Sequence, residues 1–112
     1  MEECIFCKIA KGTIPAKRLA EDAELLAFPD IDPQAPVHVL VIPKQHVASL
    51  EEITRLPERV ARRLFEVSSM VAQKLGVRES GYAIRINNGS DAGQEVFHLH
   101  LHLLGGQRIG MP

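Results

Sequence analysis

The pattern of apolar and polar positions along the chain predicts five short strands and one long helix. The helix spans about 57–75, because apolar residues recur there every three to four positions and polar residues cover the rest. Gly76 follows it as a natural carboxyl-terminal stop. Short apolar or alternating runs bounded by turn residues predict strands at 19–21, 25–28, 37–42, 82–86 and 96–104. This order predicts an α+β fold with a mostly antiparallel sheet of about five strands.

The segments between these elements contain turn-forming residues. A glycine and a proline just after residue 11 limit the segment 4–11 to a short helix or turn. Two prolines and two aspartates make 30–36 a loop. Ser49 and Glu52 fit a capping box that opens a short helical turn. None of these segments is a linker, so we expect one domain over residues 1–112.

Composition and charge narrow the class of protein only slightly. The chain has 112 residues, 24% of them charged, and a formal net charge of −1, which is typical of a soluble globular protein. This balance gives no argument for a nucleic acid or a membrane surface as partner. The first residues lack the basic and apolar pattern of a secretory signal, and no apolar run approaches the roughly 18–20 residues of a membrane span. We therefore expect a cytoplasmic protein.

The strongest chemical signal is a run in which histidine and leucine alternate between His98 and Leu103. In a strand, His98, His100 and His102 would share one face, roughly 6–7 Å apart, while the leucines enter the core. Imidazole near neutral pH serves as nucleophile, proton carrier or metal ligand. Three of the five histidines lie in this run, which argues against a merely solvated face. The remaining alternative is a metal site with two or three ligands from this strand.

The loop before the histidine run favours an anion as ligand. Residues 87–94 contain glycines, which allow backbone amides to approach a ligand closely, and Asn, Ser and Gln donors. Taken alone, the loop fits an ordinary turn equally well. Beside a row of histidines, it indicates a phosphate.

The two cysteines, Cys4 and Cys7, leave three interpretations open. A structural disulfide is not expected in a reducing compartment. The pair fits half of a metal site, a redox motif, or two small apolar residues, and its surroundings are unlike those of a thioredoxin motif.

The segment from His98 to Leu104 resembles the signature of the histidine triad superfamily, in which histidine and an apolar residue alternate three times before a second apolar residue. Leu104-Gly105-Gly106 is similar to the Hint branch, the histidine triad nucleotide-binding proteins, rather than to the Fhit-type dinucleoside polyphosphate hydrolases. The resemblance covers nearly the whole chain. Further segments similar to the Hint branch are 28–31, 33–38, 41–46 and 87–94.

This resemblance implies a homodimer of α+β subunits whose sheets join into one continuous sheet. It implies hydrolysis of purine nucleoside 5′-phosphoramidates to an amine and a nucleoside monophosphate. The alternatives are a dinucleoside polyphosphate hydrolase and a nucleotide-binding or scaffold protein with little catalysis. Superfamily members that transfer nucleotides to another phosphate have glutamine in place of His102, so this histidine favours water as the acceptor.

The resemblance also assigns roles to individual residues. His100 would attack the α-phosphorus and form a nucleotidyl-histidine, His102 would contact the phosphate and the leaving group, and His38 and His98 would orient the network. Glu95 stands where some relatives have a serine near the phosphate or leaving group, and its carboxylate would either favour a cationic amine or point away. The implied nucleotide-binding residues are Asp30 at the ribose, Asn87, Gly93 and Gln94 at the phosphate, and Phe6, Ile9, Ile14, Phe28 and Leu40 at the base.

The resemblance further implies a structural zinc ion. Its ligands by position would be Cys4, Cys7, His46 and His98, a chemically sound tetrahedral set. The alternative is that the cysteines pack as apolar residues while His46 and His98 share a hydrogen bond. No acidic cluster suited to Mg²⁺ is evident, so we expect no catalytic metal.

Overall fold

The computed structural model describes residues 3–110. Its centre is a five-stranded sheet with the strand order β1-β2-β3-β5-β4, in which every neighbouring pair is antiparallel. The predicted α+β fold is therefore confirmed. The strands are β1 (Ala20–Glu21), β2 (Leu25–Pro29), β3 (Val37–Pro43), β4 (Tyr82–Arg85) and β5 (Leu101–Gly105). The helices are α1 (Ile5–Lys11) and α2 (Glu58–Lys74), and 3₁₀ turns span Leu50–Arg55 and Ser90–Ala92.

Helix α2 covers one face of the sheet with the apolar stripe that the periodicity predicts. Val60, Leu64, Val67 and Val71 are buried there, against side chains such as Leu103 of β5. Complete burial of one such side chain stabilises the fold by about 1.5–3 kcal/mol. Within residues 3–110, no helix has the length and apolar character needed to cross a bilayer.

The short helix α1 packs on the opposite face of the sheet. Its Phe6 and Ile9 join a second buried cluster with Phe28 of β2 and Leu40 of β3. Gly12 ends the helix at φ 84°, a left-handed conformation that glycine adopts without a Cβ penalty. Because α1 lies on this face, it is next to the histidines of β3 and β5.

Two turns are stabilised by backbone N–H groups that donate to side-chain oxygens. In the hairpin between β1 and β2, Oδ1 of Asp22 accepts from two backbone N–H groups at 2.7 and 2.9 Å. At the second turn, Ser49 Oγ accepts from the N–H of Glu51, while Glu52 accepts from the N–H of Ala48 at 2.7 Å. The capping box at Ser49 is therefore displaced by one residue at each contact.

The last strand is shorter than predicted, because its ladder begins at Leu101 rather than at residue 96. The ladder with β3 ends at the pair Val41 and Leu101, and Pro43 beyond it has no N–H to donate. The N–H of Leu99 instead donates to the carbonyl of Val47 at 2.7 Å. The prediction that all three histidines lie on one strand is wrong: only His102 belongs to β5.

Candidate active site

Three histidine rings converge beside the start of β5. His102 lies on the strand, and the centroid of its ring is 4.9 Å from that of His100 and 5.1 Å from that of His38 on β3. His98 is completely buried, whereas His38 and His100 are each 7% exposed. The structure therefore brings together His38, His100 and His102, three of the four side chains to which the resemblance assigns catalysis. The side chain of His98 faces a different cluster.

Hydrogen bonding fixes the tautomer of His100. Its Nδ1 lies 2.7 Å from the carbonyl oxygen of His98, and because a carbonyl only accepts, Nδ1 carries the proton. Burial lowers the pKa of His100, so the ring is neutral at pH 7 and its Nε2 has a free lone pair. The ring of Phe6 packs edge-on at 5.1 Å. His100 therefore presents an unprotonated nitrogen, as a nucleophile requires.

A second chain of hydrogen bonds gives His102 the opposite tautomer. The backbone N–H of Gln34 donates to Nδ1 of His38 at 3.0 Å, which leaves the proton of neutral His38 on Nε2. That Nε2 lies 2.9 Å from Nδ1 of His102 and donates to it. Neutral His102 consequently carries its proton on Nε2 and offers a donor. Asp30 supports this chain, since its Oδ2 is 3.4 Å from His38 Nε2.

The surroundings keep both of these histidines uncharged. Burial, with the neighbouring imidazoles of His100 and His38, lowers the pKa of His102 from 6.5 to about 4. Burial also lowers the pKa of His38, against the opposing effect of the Asp30 carboxylate. At neutral pH the site therefore contains a lone pair on His100 beside an N–H on His102.

Acid is expected to destabilise the fold through His102. Between pH 6.5 and about 4, the unfolded chain binds a proton at this residue that the folded chain does not. The stability that this residue retains above pH 6.5 is thus lost as the pH falls toward 4, by at most about 3 kcal/mol. Urea unfolding at pH 7 and pH 4 measures the loss, and His102→Gln should be less sensitive to acid by about that amount. Equal acid sensitivity of the two proteins would contradict the assigned shift.

The residues assigned to the base form one apolar cluster next to the histidines. Phe6 and Phe28 meet edge-to-face with ring centroids 5.5 Å apart, and Leu40 lies opposite His102 in the strand register. Ile14 packs at the margin of this cluster, and Asp30 follows the end of β2. The apolar wall and the carboxylate therefore lie on the same side of the sheet as the catalytic candidates.

The loop residues Asn87 and Gln94 hold the loop itself. The Nε2 of Gln94 donates to the carbonyls of Ala48 and Val96 at 2.7 and 3.1 Å, and its Oε1 accepts from a backbone N–H at 2.8 Å. Asn87 Nδ2 donates to the carbonyl of Ala92 at 2.7 Å. Gly93 ends the 3₁₀ turn in this loop at φ 84°, which a residue with a Cβ rarely adopts. These side chains fix the backbone of the loop, a role that the sequence pattern does not reveal.

Glu95 borders a different cavity from the one that His38 and His102 line. Its exposed side chain lines a cavity of about 290 Å³ together with residues near the start of α1, including Cys4 and Ile5. A separate cavity of about 240 Å³ borders His38 and His102, and Glu95 is not among the residues that line it. The structure therefore places this carboxylate apart from the cavity beside His102.

A second cluster forms where the amino end of α1 meets the turn after β3. Cys4 Sγ is 3.3 Å from His98 Nδ1, and Cys7 Sγ is 3.3 Å from His46 Nδ1 and 3.5 Å from His98 Nδ1. All four ligand atoms lie within 4.8 Å of one another. A tetrahedral zinc ion with ordinary bond lengths separates sulfur and nitrogen ligands by about 3.6 Å. The four side chains therefore fit zinc in both chemistry and spacing.

The protonation pattern of this cluster also suits a metal. His98 Nε2 donates to the carbonyl of Pro43 at 2.7 Å, which leaves the lone pair on Nδ1 facing the sulfurs. Burial and the nearby Cys4 raise the pKa of Cys7 to about 11, so a cation is needed to favour the thiolate. Among residues 3–110, the one other group with metal-binding spacing is Asp30, His38 and His102. Each of the two groups therefore contains a single histidine of the run 98–102. The alternative of a metal held by several of these histidines is thus unsupported.

Sequence reasoning missed two features of the site. Arg85 on β4 lies opposite His102 and lines the cavity beside it. Arg108 lines the same cavity. The sequence predicted no role for either arginine. The alternation within β4 contained a signal for Arg85, but its strand partner was not known. The backbone donor at Gln34 has no signature in side-chain pattern.

This fold, with buried histidines around the start of one strand, defines a histidine triad protein. The chain belongs to the HIT domain family, whose model matches residues 11–109. It is 38% identical to the purine nucleoside phosphoramidase of Escherichia coli K12 over 109 residues, which are 97% of this chain and 92% of that enzyme. The structure of a HIT family hydrolase from Legionella pneumophila is 44% identical, with a TM-score of 0.94 over 98% of each chain. A HIT family hydrolase from Clostridium thermocellum is 45% identical, with a TM-score of 0.95 over 100% of this chain and 97% of that one.

Proposed function

We propose that this chain hydrolyses purine nucleoside 5′-phosphoramidates through a nucleotidyl-histidine on His100. The observation that carries the proposal is the pair of tautomers at the site, a free Nε2 lone pair on His100 beside an Nε2–H on His102. The similarity to the E. coli phosphoramidase, at 38% identity over nearly the whole chain, supports this substrate class.

In the first step, His100 Nε2 attacks the α-phosphorus and the P–N bond breaks. The resulting imidazolium keeps its Nδ1–H on the carbonyl of His98, which stabilises the positive charge. His102 donates its Nε2–H to the phosphate, where negative charge accumulates. The leaving nitrogen takes its electron pair from the P–N bond and a proton from water.

In the second step, water attacks the phosphorus and the bond to Nε2 breaks. The electron pair of that bond returns to His100, and the attacking water releases a proton to solvent. The proton taken up by the amine is thereby restored, and the products are a free amine and a nucleoside monophosphate. The base would rest against the wall formed by Phe6 and Phe28, and Asp30 would accept hydrogen bonds from the ribose hydroxyls.

The first experiment is mass spectrometry of the protein quenched during turnover of adenosine 5′-phosphoramidate. We expect a covalent adenylyl group on the peptide that contains residues 98–102, with fragmentation assigning it to His100. Incubation with AMP alone serves as the control. An adduct on His98 or His102 would contradict the assignment of the nucleophile.

Two other functions are separated by turnover measurements. A dinucleoside polyphosphate hydrolase would cleave diadenosine triphosphate faster than the phosphoramidate, and a scaffold protein would bind AMP but turn over neither compound. The tautomers favour catalysis, because simple binding does not require a lone pair beside a donor.

We further propose a structural zinc ion at Cys4, Cys7, His46 and His98. The spacing of the ligand atoms, within 4.8 Å of one another, supports it. When bound, the ion would supply a crosslink between α1, the turn after β3 and the segment before β5.

We also propose that two copies form a homodimer with one continuous sheet. Edge strand β1 has two residues and edge strand β4 has four, so β4 offers the longer unpaired edge among the strands described. Pairing of β4 with its copy would satisfy these backbone groups.

A further inference from the structure

The two sulfurs of the cysteine–histidine cluster (Cys4, Cys7, His46 and His98) lie close to each other. Both are near the same atom, since Cys4 Sγ and Cys7 Sγ are 3.3 and 3.5 Å from His98 Nδ1. Their own separation is no more than 4.8 Å, the limit that includes all four ligand atoms. Both thiols are free, and the sequence contains two cysteines in all. Cys4 and Cys7 are therefore each other's only possible disulfide partner within one chain.

The backbone around these cysteines allows the sulfurs to meet without unwinding α1. Cys4 precedes the first turn of α1 with extended dihedrals (φ −73°, ψ 113°), and its Sγ accepts from the N–H of Cys7 at 3.3 Å. The side chain of Cys4 is thus folded over the first turn toward Cys7. A disulfide places its sulfurs about 2.05 Å apart, so the two atoms must approach by less than about 3 Å, within the reach of side-chain rotation.

The two sulfurs differ in their access to solvent. Cys4 is partly exposed and lines the cavity of about 290 Å³ that Glu95 also borders. Cys7 is 7% exposed and is not among the residues that line this cavity. A small oxidant such as hydrogen peroxide therefore reaches Cys4 first, and Cys7 lies behind it, where it can attack the oxidised sulfur.

Oxidation of this pair would dismantle the metal site. A cysteine binds zinc as a thiolate, and the sulfurs of a disulfide carry no such charge. Of the four ligands, His46 and His98 alone would remain. Two imidazoles do not complete the tetrahedral set of a structural zinc site.

We infer that Cys4 and Cys7 form a reversible disulfide in response to peroxides, and that this disulfide releases the proposed zinc ion. The inference rests on that proposed ion and adds its regulation. A disulfide that forms and is reduced again is compatible with a reducing compartment, where such bonds are transient and serve in redox sensing. Low-molecular-weight thiols would reverse it by thiol–disulfide exchange.

The oxidation proceeds in two displacements. The sulfur of Cys4 attacks one oxygen of the peroxide, the O–O bond breaks, and the sulfur becomes a sulfenic acid while the other oxygen leaves as water. The sulfur of Cys7 then attacks Cys4, the S–S bond forms, and the sulfenic oxygen leaves as a second water. The two sulfurs lose two electrons, which the peroxide gains. The two protons that the waters require come from the thiols, or from solvent where the sulfurs were bound as thiolates.

The test is a peroxide titration of the zinc-loaded protein. The readouts are the zinc released to a chromogenic indicator and the mass of the peptide that contains Cys4 and Cys7. We expect this peptide to lose about 2 Da, the two hydrogens of the thiols, with one zinc ion released per disulfide. Dithiothreitol with added zinc should restore both values.

Met70→Leu is the matched control for oxidation elsewhere in the protein. Met70 is 59% exposed on α2, which packs on the opposite face of the sheet from α1, and its thioether also reacts with peroxide. This variant should release zinc as the wild-type protein does. Zinc release that is lost in Met70→Leu would overturn the role of the cysteines.

The order of attack is tested in metal-free protein with dimedone, which captures sulfenic acids. In Cys7→Ser, the sulfenic acid on Cys4 has no partner and should be labelled about tenfold faster than Cys7 is in Cys4→Ser, because Cys4 lines the cavity. Equal rates would overturn the assignment of Cys4 as the sulfur that meets the oxidant. The thermal midpoint of each variant checks that the fold is intact.

The remaining outcomes separate the disulfide switch from the ion on which it rests. Zinc that stays bound during peroxide treatment, a disulfide between two chains, or a sulfinic acid without a disulfide would overturn the switch and leave the zinc site in place. A protein that binds no zinc and still forms the disulfide between Cys4 and Cys7 would overturn the zinc site, and with it the release of the ion.

Discussion

His100→Ala is expected to reduce turnover of adenosine 5′-phosphoramidate by a factor on the order of 10³–10⁶, because it removes the proposed nucleophile, on which both proposed displacements depend. His102→Gln should reduce kcat by about 10²-fold, since its amide N–H does not take the position of the imidazole N–H that the hydrogen bond from His38 orients, while the attacking nitrogen stays in place. His100→Ala thus removes the attacking group, whereas His102→Gln retains it. The adenylyl adduct should be absent in His100→Ala and still detectable in His102→Gln.

The substitution His100→Ala should leave the affinity for the nucleotide largely unchanged. The wall formed by Phe6 and Phe28 and the carboxylate of Asp30 remain, so calorimetry should give an affinity for AMP within a few-fold of the wild-type value. His100→Asn, which retains a polar group near the carbonyl of His98, controls for the lost hydrogen bond of the buried ring. Turnover by His100→Ala close to the wild-type rate would exclude His100 as the nucleophile.

The elements that the sequence predicts well are those whose pattern is complete within the element. Helix α2 repeats its apolar stripe over four turns, and β3 is rich in β-branched residues, so both appear within about one residue of their predicted ends. The start of β5 depends instead on its partner. The ladder stops near Pro43, more than fifty residues away, and nothing in the run from His98 to Leu103 marks that point.

The candidate site likewise has features that the sequence predicts and features that depend on residues distant in the chain. Histidine alternation and the family resemblance point to the nucleophile and to the cysteine–histidine cluster, which is assembled from three distant segments. The sequence does not predict the tautomers of His100 and His38, because they depend on the backbone carbonyl of His98 and the backbone N–H of Gln34. The position of Arg85 opposite His102 is known only when β4 is placed beside β5. The cytoplasmic location and the single domain over 1–112 stay predictions from the sequence.

Zinc is expected to stabilise the protein strongly and with a stoichiometry of one ion per chain. At a free concentration 1,000 times its Kd, an ion that binds only the folded state adds about 4 kcal/mol to the free energy of unfolding. Urea unfolding with zinc and with a chelator measures this difference, and elemental analysis gives the stoichiometry. Cys7→Ser should remove most of the gain, because it replaces a thiolate ligand that lies within 3.5 Å of both His46 and His98.

Mg²⁺ is the matched control ion, since it prefers oxygen ligands and the cluster offers sulfur and nitrogen. Binding should also strengthen as the pH rises, because Cys7, with a pKa near 11, must lose its proton to bind the ion. An unfolding free energy that is the same with zinc, with Mg²⁺ and with chelator would exclude the site.

The proposed zinc ligand His98 also contacts His100, the proposed nucleophile, which would give the metal an effect beyond stability. Its side chain faces the cysteines, whereas its carbonyl accepts the Nδ1–H of His100 at 2.7 Å. Removal of zinc should therefore loosen this carbonyl and speed the exchange of the His100 Nδ1 proton, which NMR detects without any substrate. A purely peripheral ion would change the unfolding free energy and leave that exchange rate unaltered, so the two measurements together decide whether the cluster also positions the nucleophile.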